Sequence, residues 1–246
     1  MQLSCWQWIW LGAAAFCSGL SKTGIAGLGI VPVVIFANLL PARESTGALL
    51  PLLICGDVFG VVRFRKHASW PHLLRLVTWV IVGVIAGYFA LGRVNDAQVR
   101  RIIGIVLLLM VGLHGWRGRH PDDLAARLPH TLWFTGLIGI LAGFTTMVAN
   151  AAGPVMALYL LAIGLPKLVF IGTAAWFFML VNAFKVPFSV KLGLITGDSL
   201  RMDALLLLPL LPGAWLGPRL LHHINQRVFE RMVLLFTLAG IGRLLW

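Results

Sequence analysis

The sequence predicts an all-α integral membrane protein built as two homologous halves of four to five transmembrane helices each, every half opening with a broken or re-entrant helix. Three observations carry this. Of the 246 residues, 59% are hydrophobic and only 11% charged, with a mean hydropathy of +0.92, too little polar surface to coat a water-soluble core. Charge-free windows cover 1–21, 23–42, 76–92, 102–116, 128–166, 168–184, 204–218 and 232–242, and 46–62 is broken only by Asp57. At roughly 20 apolar residues per span, the windows and their uncharged edges supply about eight to ten spans. The chain also repeats itself. Leu40-Pro41, Gly47 and Asp57 recur as Leu165-Pro166, Gly172 and Asn182, 125 positions on. Gly83, Gly87, Asn95, Arg101 and Gly112 recur as Gly213, Gly217, Asn225, Arg231 and Gly242, 130 on. Gly19 and Pro32 match Gly143 and Pro154 with a small slip.

These matches divide a single transporter-sized membrane domain into repeat 1 (1–116), a polar hinge (117–129) and repeat 2 (130–246), with no stretch long enough for a separate soluble domain. Met1 to Ser21 lacks a basic leader region and a small-residue cleavage site, so it reads as mature sequence. Repeat 1 then breaks in a glycine-rich segment, Ser18 to Gly29, and turns at Leu40-Pro41 into the span bearing Asp57. Repeat 2 opens with 39 uncharged residues, 128–166, which as a straight helix would measure about 58 Å against a hydrocarbon core of about 30 Å. It must break, and Gly143, Gly153-Pro154 and Gly164 are the natural places, as Gly19, Gly24, Gly27, Gly29 and Pro32 are in repeat 1. Irregular backbone at membrane depth persists only where it is buried in protein or lines a watery cavity. The breaks therefore locate a cavity. Lys and Arg divide almost evenly between the two sides whether a half has four spans or five, so charge does not choose between parallel and inverted halves. The inverted arrangement is preferred because it makes inward and outward states near mirror images.

The formal charge of +12 does not point to nucleic acid. Its Lys and Arg form short juxtamembrane groups, such as Arg63, Arg65 and Lys66 or Arg219, Arg227 and Arg231, which suit headgroup contact and topology setting. Cys5, Cys17 and Cys55 lie in apolar windows without C-x-x-C spacing and read as free thiols. Adjacent His222 and His223 point about 100° apart on a helix, a poor pair of metal ligands. No cofactor or metal site is indicated. With no H-E-x-x-H, no G-x-S-x-G and no second carboxylate deep in an apolar window beside Asp57, an intramembrane enzyme has little to work with. A passive scaffold would need no matched breaks.

The chemistry concentrates at the breaks. Lys22 is the one formal charge in the first 42 residues, and intramembrane cations are costly and purposeful. If a half-helix begins near Thr23 or Gly24, its free N–H groups and positive dipole end, with Gly27 and Gly29 beside them, make an anion site with the ammonium. In the second break, Thr145, Thr146 and Asn150 offer hydrogen-bond donors without charge. Asp57 is a proton carrier if isolated and a counter-ion if Lys22 stands next to it, whereas the matching Asn182 keeps hydrogen bonding alone. Lys185, three residues after Asn182, would guide an anion inward. Trp176 is mid-span, unlike the other tryptophans, which flank spans as interfacial anchors do, and it completes the candidate substrate shell. A cation carrier using Asp57 and unwound carbonyls is the rival transport reading.

The glycine-rich opening with Val31-Pro32, the turn Leu40-Pro41-Ala42-Arg43-Glu44-Ser45-Thr46-Gly47, and the repeat of that plan through Gly143, Pro154, Leu165-Pro166-Lys167 and Gly172-Thr173 resemble the sulfite exporter TauE/SafE family over nearly the whole chain. Many members carry consecutive glycines in the first break, where this chain has Ser21-Lys22-Thr23 and spaced glycines. The resemblance implies a multi-pass carrier in the bacterial inner membrane that exports sulfite or short organosulfonates, with lipid and a small anion as its partners, and an ion or potential gradient, protons among the options, as its driving force.

Overall fold

The computed structural model describes residues 4–91 and 131–245. Among them are nine α-helices and no strand, as the composition predicts. In chain order these are α1 (Cys5–Thr23), α2 (Ile30–Leu39), α3 (Ala42–Phe64), α4 (Trp70–Ala90), α5 (Leu132–Ala149), α6 (Ala152–Ile163), α7 (Lys167–Lys191), α8 (Gly197–His223) and α9 (Gln226–Leu245). Helices α3, α4, α5, α7 and α8 are long and apolar enough to cross a membrane, while α2 and α6 are short and apolar. Trp6, Phe89, Trp133, Leu208 and Trp215 stand exposed on the outside, a surface that suits lipid rather than water. The hinge, the 102–116 window and the matches at Asn95, Arg101 and Gly112 lie outside the described residues.

Local chemistry explains where helices stop. The first break spans Gly24 to Gly29, with Gly27 at φ +93°, a conformation that costs glycine nothing. The second is a two-residue kink in which Asn150 adopts a left-handed conformation (φ 51°, ψ 27°) and its N–H turns back to the carbonyls of Thr145 and Thr146. Pro32 and Pro154 each sit at the third position of the short helix that follows, where no N–H is needed. Gly164 ends α6 in the left-handed region as expected. Gly19 and Gly143 do not break their helices, which corrects the sequence reading. They are interior residues of α1 and α5 where another backbone comes close.

That closeness organises the packing. A methyl group added at Gly19 would lie 2.7 Å from the backbone nitrogen of Ala214, and one at Gly143 would lie 2.8 Å from that of Val84. Helices α1 and α8 run side by side in the same direction, Leu20 meeting Gly213 and Gly24 meeting Gly217, and so do α5 and α4, Gly143 meeting Val84 and Met147 meeting Gly87. Small residues let membrane helices approach this way. Helix α3 crosses α7 in the opposite direction. Gly47 abuts Leu194, Asp57 bonds Asn182, and Phe64 abuts Gly172. Lys167, at the start of α7, donates to the carbonyls of Leu221 (3.0 Å) and Ile224 at the end of α8, satisfying acceptors the helix leaves open.

Gly19→Val and Gly143→Val thus drive a branched side chain into a neighbouring backbone. We expect each to lower the thermal midpoint of detergent-purified protein, overpacking costing about 1–3 kcal/mol. Gly12→Ala, whose added methyl has its nearest neighbour at 4.0 Å, should leave it unchanged. A heating ramp read by size-exclusion fluorescence checks both.

Candidate functional site

Helix α1 carries Lys22 in its last turn rather than ahead of a new helix start. The helix runs through Thr23, and the next begins only at Ile30, so the expected start near Thr23 or Gly24 is corrected. The Lys22 side chain turns inward. Its ammonium lies 2.7 Å from Asp57 Oδ1, in an ion pair whose side chains are 9% and 0% exposed, and 4.0 Å from the centre of the Phe178 ring. Such a contact adds cation–π attraction where water is scarce. The second Asp57 oxygen accepts a 2.7 Å hydrogen bond from Asn182 Nδ2. Glycine makes the approach possible. A methyl at Gly56 would stand 3.1 Å from Lys22 Cγ, and one at Gly60 2.7 Å from the Lys22 carbonyl oxygen.

The second break supplies a matching cluster. Asn150 donates from Nδ2 to the carbonyl of Thr46 at 2.8 Å and accepts from Lys185 Nζ at 2.5 Å. Lys185 also donates to Thr146 Oγ1 at 3.1 Å. It is 2% exposed, and among the described residues no carboxylate pairs with it. Asp57, paired with Lys22, is also the carboxylate in electrostatic reach of Lys185. An uncompensated buried charge is expensive.

Between the breaks lies a small cavity of about 70 Å³. Lys22, Gly27 and Gly29 line it from the first break, Thr146 and Asn150 from the second, and Asn182 from α7. Gly29 and Ile30 at the start of α2 and Gly153 and Pro154 at the start of α6 also line it, so each break brings to the space a helix start, the positive dipole end, and the last turn of the preceding helix, the negative end. Asp57 and Lys185 do not line it but are bonded to residues that do.

Four expected site residues point elsewhere. The Thr23 hydroxyl donates to its own helix at Gly19 (2.9 Å) and packs on Gly217, where Gly24 packs too. Thr145 donates to Ala142 (3.2 Å), the back-bonding usual for threonine in membrane helices. Trp176 stacks on Trp70, ring centres 5.2 Å apart. In their place stand Ser18, Ser21 and Phe178, which line the cavity. Helical spacing holds part of the missing signal, since Ser18 precedes Lys22, and Phe178 precedes Asn182, by four residues; Ser21, one residue before Lys22, carries no such signal. The expectation that Asp57 is the only deep carboxylate also fails, because Asp203 of α8 is 5% exposed. It sits one residue outside a charge-free window, in a stretch that Asp198 and Arg201 make look like a helix end. The free cysteines remain unpaired, and no cluster of metal-binding side chains occurs among the described residues.

A multi-pass membrane protein with a buried, net-positive site at the meeting of two broken helices is, by class, a transporter fold. The family model described as "Sulfite exporter TauE/SafE" matches residues 11–244, and the chain belongs to that family, one of exporter-type transporters of sulfur anions rather than of enzymes. No match was found among curated proteins or among solved structures.

The ion pair makes a separable prediction. Lys22→Met strands a wholly buried carboxylate, and breaking a buried pair from one side costs about 3–5 kcal/mol. The double variant Lys22→Met/Asp57→Asn should recover much of that loss. A double-mutant cycle on thermal or denaturant stability in detergent reads the difference, and additive losses would show that the two groups do not act as a pair.

Proposed function

We propose that this protein is a secondary carrier of a small oxyanion, sulfite or a short organosulfonate, and that it exports this anion across a bacterial inner membrane. One observation carries the reading: two buried lysines, Lys22 and Lys185, with Asp57 in electrostatic reach of both, beside a cavity lined by Lys22 and by the Thr146 and Asn150 that hold Lys185. In this reading Lys22 exchanges part of its attraction to Asp57 for the anion, while Asn182, Thr146 and Asn150 donate hydrogen bonds to its oxygens. Gly27 and Gly29 keep the backbone near enough to take part. A cation carrier built on Asp57 fits less well, because both carboxylate oxygens already face nitrogen donors.

We infer further that the two halves are inverted repeats. Helices α3 and α7, equivalent at an offset of 125, run antiparallel, and Asp57 and Asn182, themselves equivalent, bond each other where they cross. Two-fold-related helices in contact run antiparallel only when the axis lies across them, in the plane of the membrane. Alternating access then follows by exchange of the two halves' roles.

Purified protein should be stabilised against heat by sulfite or a short sulfonate more than by chloride or acetate, as mass action requires of a ligand that binds the folded state. Lys22→Met and Lys185→Met should each abolish that shift and the flux of labelled anion in proteoliposomes. Full flux in both variants would remove the assigned anchors.

A further inference from the structure

Every position that α4 buries is buried in α8 as well. Leu73, Leu76, Val80, Gly83, Val84 and Gly87 of α4 are matched, 130 residues on, by Asp203, Leu206, Leu210, Gly213, Ala214 and Gly217 of α8, all of them buried. At five of the six the pair is apolar or glycine on both sides. At the sixth, a fully buried leucine in one half is a buried aspartate in the other.

Packing alone does not account for that aspartate, since leucine fills the same place in α4. Among the described residues neither Asp203 oxygen has a hydrogen-bond partner. Its neighbours in sequence, Met202 and Leu206, pack in a cluster with Leu11, Ala14 and Ala15 of α1 and Ala48, Leu49 and Leu52 of α3. The titratable groups on the two helices packed against α8 are Cys5, Cys17 and Lys22 on α1 and Glu44, Cys55, Asp57 and Arg63 on α3, with Arg43 at the start of α3. Among the described side chains of those, the Cys55 thiol is the one in electrostatic reach. On its own helix Asp198 and Arg201 face outward, against one another. An ionised carboxylate with no cation and no donor is the costliest group to bury, whereas its protonated form is tolerable.

We propose that Asp203 is a proton-binding site distinct from the anion site, through which anion movement is coupled to protons. This rests on the anion-carrier reading above. Asp203 lies six residues into α8, about 9 Å from its start, and exchanges its proton with water on that side when α8 parts from α1 and α3. Asp57, held by Lys22 and Asn182, serves as counter-ion rather than proton carrier.

The test is infrared spectroscopy of the protein in lipid at neutral pH, together with flux in proteoliposomes. Wild type should show the carbonyl stretch of a protonated carboxylic acid, absent in Asp203→Asn and kept in Asp57→Asn. Asp203→Asn should lose sulfite flux driven by a pH gradient yet keep sulfite exchange at equal concentrations, which moves no net proton. Asp203→Leu, copying the other half, should behave alike and guards against a folding defect of the amide. Absence of the band in wild type, its persistence in Asp203→Asn, or undiminished gradient-driven flux in that variant overturns the proposal. Failure of exchange in wild type instead defeats the anion-carrier reading, and the infrared band still decides the proton site.

Discussion

A carboxylate with no exposure at all, in a helix that crosses hydrocarbon, persists only if its charge is answered on every side. Asp57 meets that condition with an ammonium at one oxygen and an amide at the other, both at 2.7 Å. The demand propagates outward. Lys22 reaches Asp57 only because α1 ends at that depth and because Gly56 and Gly60 clear a channel on α3. Asn182 reaches it only because α7 crosses α3 at that level. Removing ions from water costs several kcal/mol each, so one polar triad fixes how three helices meet.

The second ammonium gives the triad its direction. Lys185 is held by a hydroxyl and an amide oxygen, two neutral acceptors for a group with up to three N–H donors. On the repeat offsets, Lys22 corresponds to Thr146 and Lys185 to Gly60, so each half contributes its cation from a different helix and makes room for the other's. The result is a polar centre that is asymmetric in chemistry although regular in backbone, with Lys22 at the space between the breaks and Lys185 behind the Thr146 and Asn150 that line it.

Much of this was legible in the residues. Membrane location followed from composition, and the breaks followed from uncharged stretches too long to cross once. Lys22, Asp57, Thr146, Asn150, Asn182 and Lys185 stood out because polar groups are conspicuous in apolar sequence. What could not be read was orientation. Glycine reads alike whether it unwinds a helix, as Gly27 does, or admits a neighbouring backbone, as Gly19 and Gly143 do. Thr23 and Thr145 neighbour site residues in sequence, but on a helix one residue is a turn of about 100°, enough to send them into packing. Asp203 was hidden for a different reason. Exposed Asp198 and Arg201 close by give its segment the look of a solvated helix end, and only tertiary packing reveals that one of the three is interior.

The glycine-lined contact between α1 and α8 bears on biosynthesis. Gly19 leaves the ribosome long before its partner at Ala214; with roughly 190 residues to go at about 5–20 residues per second, the wait is about 10 to 40 s. During that time the glycine face of the first helix is without its final partner. Asp57 follows Lys22 by only 35 residues, so the carboxylate that pairs with the ammonium in the finished fold is made long before the helix that covers Gly19.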